Sequence, residues 1–265
     1  MNIVIPIKQV PETSKVKMDP ATGVMVRQGV EAIVNPLDLY AIEVGIQLAA
    51  AQGGRTTAIS MGPPAAQAAV REAIAMGCDE GVLLSGREFA GSDTWATSYA
   101  LAQAIRKLPG CDLILCGERA TDGDTGQVGP GIAAWLDMPV ATYISGIICC
   151  GDGRIVVRRL VEDGCETLEV ELPCVLTVVK EAAYPRLPTL RGKQRARAAQ
   201  VPIWGAKDIA AESARLGLEG SPTRVVKIES PTIARHGQIR TPKDPAQLEA
   251  AVDGIIAYME KLDLL

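Results

Sequence analysis

The sequence predicts an α/β fold: a parallel sheet sandwiched by helices, with an antiparallel extension and a C-terminal arm. Three observations predict it. The first three-fifths of the 265 residues alternate short apolar runs with stretches of helical period. Residues 141–179 then change to strand-like runs divided by "GDG" and "EDG". Beyond residue 201 regular period is lost until a last amphipathic stretch. The expected division is an α/β nucleotide-binding domain over 1–200 and an arm over 201–265.

Taken in order, residues 3–7 are the first strand. "NPLD" at 35–38 opens a helix, with Asn35 as cap and Pro36 in the first turn. Ala41, Val44, Leu48 and Ala51 continue it at helical spacing. Residues 56–61 form a strand that "GPP" breaks, and an Ala-rich helix over 65–76 closes at Gly77. Residues 82–85 are the third strand. A helix over 93–107 takes Asp93 or Ser92 as cap and ends on Arg106 and Lys107, which suit that end of the helix dipole. Residues 113–115 are the fourth strand. Runs at 144–149, 154–161, 165–172 and 175–179 make the extension. Residues 180–198 carry two prolines and six basic side chains and read as an exposed loop, either merely solvated or steering an acidic partner or ligand. Residues 202–240 read as irregular. Residues 245–258 read as a helix with Leu248, Val252, Ile255 and Ile256 on one side, part of a tail that embraces another subunit.

The most informative stretch is "DLILCGERATDGDTGQVGPGIAAW", residues 112–135. A buried strand ends at Cys116 and Gly117, a glycine-rich polar loop follows, and helical pattern resumes at Ile132, Ala133 and Leu136. Glycines let backbone approach a ligand, and a helix start attracts phosphate. The loop therefore reads as a phosphate cradle for an adenine nucleotide or dinucleotide. It matches neither G-x-x-x-x-G-K-[ST] nor G-x-G-x-x-G, which argues against a P-loop nucleotidase and a standard Rossmann dehydrogenase.

Ligands in open parallel sheets bind beyond the carboxyl ends of the strands, where strand order reverses. The candidate ends are residues 6–9, 61–63, 85–87 and 117–131, with 35–38 joining them at a helix start. If the first and fourth strands are adjacent, Pro6, Asn35 and the cradle share one crevice. Backbone N–H groups near 126–129, with Thr125 and Gln127, would hold phosphate, and Asn35 or Asp38 would read a ribose or base edge. Asp122 and Asp124 would shape the loop, with a magnesium bridge as the lesser alternative.

Composition excludes other classes. The net charge of −4 and the few aromatics argue against a nucleic-acid binder. No apolar run reaches transmembrane length, and the start lacks a basic leader, so a cytoplasmic protein is expected. The seven cysteines, with no C-x-x-C, read as buried reduced thiols. Cys149 and Cys150 face opposite ways on a strand, which disfavours bridging them. His236 is the single imidazole and reads as a surface residue, so no Ser-His-Asp set can be assembled. No catalytic side chain and no metal site is expected; such a chain suits carrying a cofactor that does the chemistry.

Across nearly its whole length the chain resembles the beta subunit of electron transfer flavoproteins. The resemblance is carried by "KQVPET", "NPLDLYAIEVG", "SMGPP", "REAIAMGCDEGVLLS", "FAGSDTWATSYALA", the cradle, "YPRLPTL" and "LGLEGSPTRV". It implies an adenine-nucleotide-binding, Rossmann-like fold and a heterodimer whose alpha subunit carries the electron-transferring flavin, with the arm wrapping that partner. "DGDTGQVGP" is similar to the bifurcating branch, in which the crevice holds FAD that accepts hydride from NADH and sends electrons to the alpha flavin and to ferredoxin or flavodoxin. Gly126 departs from that branch's alanine. The alternative is the branch that holds AMP as a structural ligand. Carried over by motif, the nucleotide contacts are Pro6, Asn35, Pro36, Leu37, Asp38, Met61, Ala120, Thr121, Asp122, Gly123, Asp124, Thr125, Gly126, Gln127, Val128, Gly129, Pro130 and Gly131. Residues 184–195 match the family's recognition loop, with Leu190 as the anchor in an acyl-CoA or other flavin dehydrogenase. Two unrelated readings fit less well: an adenylating ATP-pyrophosphatase needs S-G-G-x-D-S after the first strand, where this chain has "IKQVPETS", and a stress-type ATP-binding regulator would lack the long tail and basic loop.

Overall fold

The computed structural model describes residues 1–12, 17–18, 25–26, 32–226, 237 and 239–264. His236 lies outside them. In chain order the elements are β1 (Asn2–Pro6), β2 (Gln9–Pro11), β3 (Lys17–Met18), β4 (Met25–Val26), β5 (Ala32–Val34), α1 (Asp38–Gln52), β6 (Arg55–Met61), α2 (Gln67–Met76), β7 (Glu80–Leu84), α3 (Thr94–Lys107) and β8 (Leu113–Gly117). Then follow α4 (Val128–Leu136), β9 (Val140–Gly151), β10 (Arg154–Val161), β11 (Gly164–Glu171), β12 (Cys174–Val178), α5 (Leu190–Ala198), β13 (Ile203–Trp204) and α6 (Pro245–Lys261).

Nine strands form one sheet in the order β11-β10-β9-β12-β8-β1-β6-β7-β13. From β9 to β13 every pairing is parallel; β10 and β11 are antiparallel. The chain runs outward from β1 through β6 to β7, then returns to β8 on the other side of β1, so strand order reverses between β1 and β8. Side chains alternate across the sheet with the strand period of two. Ile3 and Ile5 of β1, with Leu113 and Leu115 of β8, pack with Ile42 of α1 and Val70 and Ile74 of α2. Val4 and Ile114 pack on the other face with Tyr99, Leu101 and Ile105 of α3 and Ile132 of α4. A sheet covered on both faces explains the near-continuous apolar runs of β1 and β8.

Local chemistry sets the ends. Asp93 caps α3, accepting from the N–H groups of Trp95 at 3.0 Å and Ala96 at 3.1 Å, and Arg106 and Lys107 occupy the last turn as expected. The β9–β10 hairpin turns on Asp152 (φ 50°) and Gly153 (φ 74°), the two left-handed positions that a tight hairpin with matching twist demands.

Several expectations are corrected. Asn35 does not cap α1, whose first helical residue is Asp38 after Leu37; its side chain is used elsewhere. The second helix begins at Gln67, preceded by a short 3-10 turn over Pro64–Ala66. The basic segment is not all loop. Leu190–Ala198 is the helix α5, capped by the Thr189 hydroxyl, which accepts from the Gly192 N–H at 3.0 Å. Ala196 is the one residue of α5 that is buried, so no apolar period announced it. Ile203 and Trp204, expected to be irregular, add a parallel strand beside β7. All seven cysteines are free, yet Cys149 and Cys165 are exposed, because β9 and β11 of the extension turn one face to solvent.

The chain divides into two compact units, Met1–Ile228 and Glu229–Leu265. Within the second, Asp244 caps α6 by accepting from the Gln247 N–H at 2.8 Å, and Leu248, Val252, Ile255 and Ile256 are exposed. No described helix is long and apolar enough to cross a membrane.

Candidate functional site: a cleft at the strand-order reversal

A cleft of about 340 Å³ opens beyond the carboxyl ends of β1, β6 and β8, where strand order reverses. Pro6, Ile7 and Lys8 follow β1, Met61 ends β6, and Cys116 and Gly117 end β8. The start of α3 supplies Ser92, Asp93, Thr94 and Thr97; the cradle supplies Glu118, Arg119, Ala120, Gly123, Thr125, Gly126 and Gln127; and α4 begins with Val128 and Gly129. Two helix starts therefore border one cavity, and the Thr94 hydroxyl joins them by donating to Gln127 Oε1 at 2.8 Å.

The cradle is held in shape from inside. Asn35 is fully buried; its amide donates to the Arg119 carbonyl and to Asp38 Oδ1, both at 2.9 Å, and its Oδ1 accepts from the Thr121 N–H at 3.1 Å. Asp38 in turn accepts from the Lys8 N–H at 2.7 Å. The start of α1 is thereby tied to both the first strand and the loop. Exposed ion pairs add a second tie: Lys8 Nζ lies 2.6 Å from Asp122, and Arg119 lies 3.0 Å from Asp124.

The glycines have different tasks. Gly126 takes φ +63°, where alanine would be strained. Gly129 and Gly131 are packing positions. A methyl on Gly129 would press on Thr177, and one on Gly131 would press on Ser98. These contacts let α4 lie close to β12 and α3.

Charge is mixed at the cavity wall. Burial pushes the Asp38 carboxyl up to about 7, against the lowering influence of its bonds from Asn35 and Lys8. Burial also acts to raise Asp93, but hydrogen bonds from Thr223 and from the Ala96, Thr223 and Trp95 N–H groups hold it below the usual carboxylate range. Burial pushes the Cys116 thiol far above its ordinary value, so it is no nucleophile. Among the described residues no group of His, Cys, Asp and Glu could hold a metal ion.

Of the residues expected at the site, Pro6, Asp38, Met61, Ala120, Gly123, Thr125, Gly126, Gln127, Val128 and Gly129 line the cleft. Asn35, Pro36, Leu37, Thr121, Asp122, Asp124, Pro130 and Gly131 do not line it, and Asn35 supports the loop from behind. Residues 85–87, beyond the third strand, are absent from the lining; residues 92–94 take that place. Lys8 and Arg119 fall within the candidate ends 6–9 and 117–131 without being singled out as contacts, and the α3 start has no place among those ends, although "FAGSDT" stands out as a motif. What matters chemically is a set of amide donors, hydroxyls and two cations around the cavity, beside the carboxylates of Asp38, Asp93 and Glu118. Such donors fit a phosphate-bearing ligand.

A family model described as Electron transfer flavoprotein domain matches residues 22–209. An Electron transfer flavoprotein subunit beta from Thermoanaerobacterium thermosaccharolyticum is 47% identical over 242 residues, covering 91% of this chain and 92% of that one. The Caffeyl-CoA reductase-Etf complex subunit CarD of Acetobacterium woodii is 45% identical, covering 91% and 92%. Protein FixA of Azorhizobium caulinodans is 41% identical, covering 88% and 85%.

Proposed function

Because the chain belongs to the electron transfer flavoprotein family, among its beta subunits, we propose that it binds FAD in the cleft beside β8 and works in a heterodimer with an alpha subunit. In that assembly the electron pair taken from NADH or a flavin dehydrogenase would be split by electron bifurcation, one electron leaving by way of the alpha-subunit flavin and the other going to ferredoxin or flavodoxin. The observation that carries this reading is the cradle itself, a preformed loop and helix start at the strand-order reversal. When bound, the flavin supplies the hydride and electron chemistry. The chain's own residues bind and orient it. The N–H groups at the start of α4, with Thr125 and Gln127, would hold the phosphates, Lys8 and Arg119 would add positive charge, and Met61 and Leu101 would supply apolar wall.

The chain's free thiols suit a reducing cytoplasm. Residues 184–195 serve as the docking segment for the partner dehydrogenase, with Leu190, 87% exposed, as its anchor. Residues 201–265 include the arm that wraps the alpha subunit, for which the exposed apolar side of α6 is the support. The cavity size favours a second reading. About 340 Å³ lies near the lower end of small-molecule sites, which suits AMP as a structural ligand. Counting cofactors in the purified heterodimer separates the two. Two flavins per heterodimer, one of them reduced by NADH, support the FAD reading; one flavin plus AMP replaces it.

A further inference from the structure

Glu43 sits inside α1 with its side chain only 4% exposed, yet it does not border the cleft. A buried carboxylate is costly unless paired. Its partner is Arg186, far along the chain. Arg186 Nε and Nη2 donate to the two carboxylate oxygens, each at 2.8 Å, and the Arg186 backbone N–H adds a third bond at 3.1 Å. Gln47, one turn along α1, donates to the same carboxylate at 2.8 Å. The guanidinium fork holds the Glu43 carboxyl below its ordinary range.

The pair fixes a segment whose outward side chains have no internal work. Tyr184, Leu187 and Leu190 flank Arg186 and are 93%, 86% and 87% exposed. The far end of the same segment is fixed by exchanged arginines. Arg195 donates to the carbonyls of Ile74 at 2.7 Å and Cys78 at 3.0 Å, at the end of α2. Arg71 of α2 donates to the carbonyls of Ala196 and Ala199, the latter at 3.0 Å, at the end of α5. The front is tied to α1 and the back to α2, while three large apolar groups stand in water. A loose segment would lose conformational entropy on docking; a fixed one has lost it already.

Taking residues 184–195 as the docking segment proposed above, we infer that Glu43 is a positioning residue for partner capture, holding Arg186 so that Tyr184, Leu187 and Leu190 form a preset docking edge. Removing it weakens encounter with the dehydrogenase and leaves electron transfer in the docked complex unchanged.

The test uses the intact heterodimer with its cognate dehydrogenase. Glu43→Gln is expected to raise KM for the heterodimer about tenfold, equivalent to about 1.4 kcal/mol, with kcat and flavin content unchanged. Arg186→Gln should do the same, and the double variant should be no worse than either single, because both break one pair. Hydrogen exchange of the amides at 184–190 should quicken in all three. If Glu43→Gln does not fold, Arg186→Gln carries the same readout from the more exposed partner. Unchanged KM in the single variants overturns the inference, as does a loss of kcat or flavin in step with KM. Leu190→Ala separates the two levels. If it raises KM while Glu43→Gln does not, the lock alone falls; if it too leaves KM unchanged, the docking reading falls and the lock with it.

Discussion

Asp38 couples the cleft to pH. It borders the cavity, accepts from Asn35 and from the Lys8 N–H, and its carboxyl is pushed up to about 7 by burial. Below that value it is neutral; above it a further negative charge stands on the wall, beside that of Asp93. Affinity for AMP should therefore fall as pH rises through about 7, by about 1 kcal/mol or roughly fivefold. Asp38→Asn should give a flat profile over the same range, measured by equilibrium dialysis of the full chain. A wild-type profile that is itself flat from pH 6 to 8 would count against the charge argument. Legibility at this scale followed the backbone. Pro6, Met61 and much of the cradle could be placed at a cleft from sequence because strand ends and glycine runs mark where a crevice opens. The sequence offers Asn35 or Asp38 as the reader of a ribose or base edge, and the Asn35 amide and carbonyl are committed to Arg119, Asp38 and Thr121. Lys8 and Arg119 carried no spacing signal, since a cation enters a cleft through tertiary approach.

At the scale of elements, helices with an apolar period were legible and those without one were not. α3 announced itself through Asp93, its apolar side and its basic last turn. α5 did not, because four of its nine residues are basic and one is buried, and it relies on the Thr189 cap and exchanged arginine contacts with α2. Its closeness to α2 depends on Gly192, where an added methyl would overlap the Ala75 carbonyl oxygen. Backbone does not yield as a side-chain tip does. Gly192→Ala should lower stability by about 1–3 kcal/mol, read as a reduced urea midpoint with an unchanged m-value. A midpoint equal to that of the parent would mean that α5 can shift away at little cost. The two-residue strand β13 was invisible for another reason: a run so short has no period.

For the molecule as a whole, the α/β class was legible because buried parallel strands separated by helices leave few arrangements; the adjacency of the first and fourth strands entered only as a condition, which the β1–β8 pairing meets. The tail was legible only as an amphipathic helix. Leu248, Val252, Ile255 and Ile256 remain exposed on α6, a pattern that asks for a covering surface. Limited proteolysis should cut the isolated chain within 229–264 and spare that stretch once the alpha subunit is added. Equal resistance with and without the alpha subunit would remove the arm proposal.

The sheet also acts as a partition. Ala182, Ala183, Ala196 and Ala199 of the basic segment pack on the α1 and α2 side. Met61, Leu101, Cys116 and Val128, which floor the cleft, pack on the α3 and α4 side. Substitutions in the two groups share few neighbours and should combine additively. A lineage built on this scaffold can alter the docking side while most of the cleft drifts independently; Ile7 and Asp38, which border the cleft from the α1 side, are the exceptions.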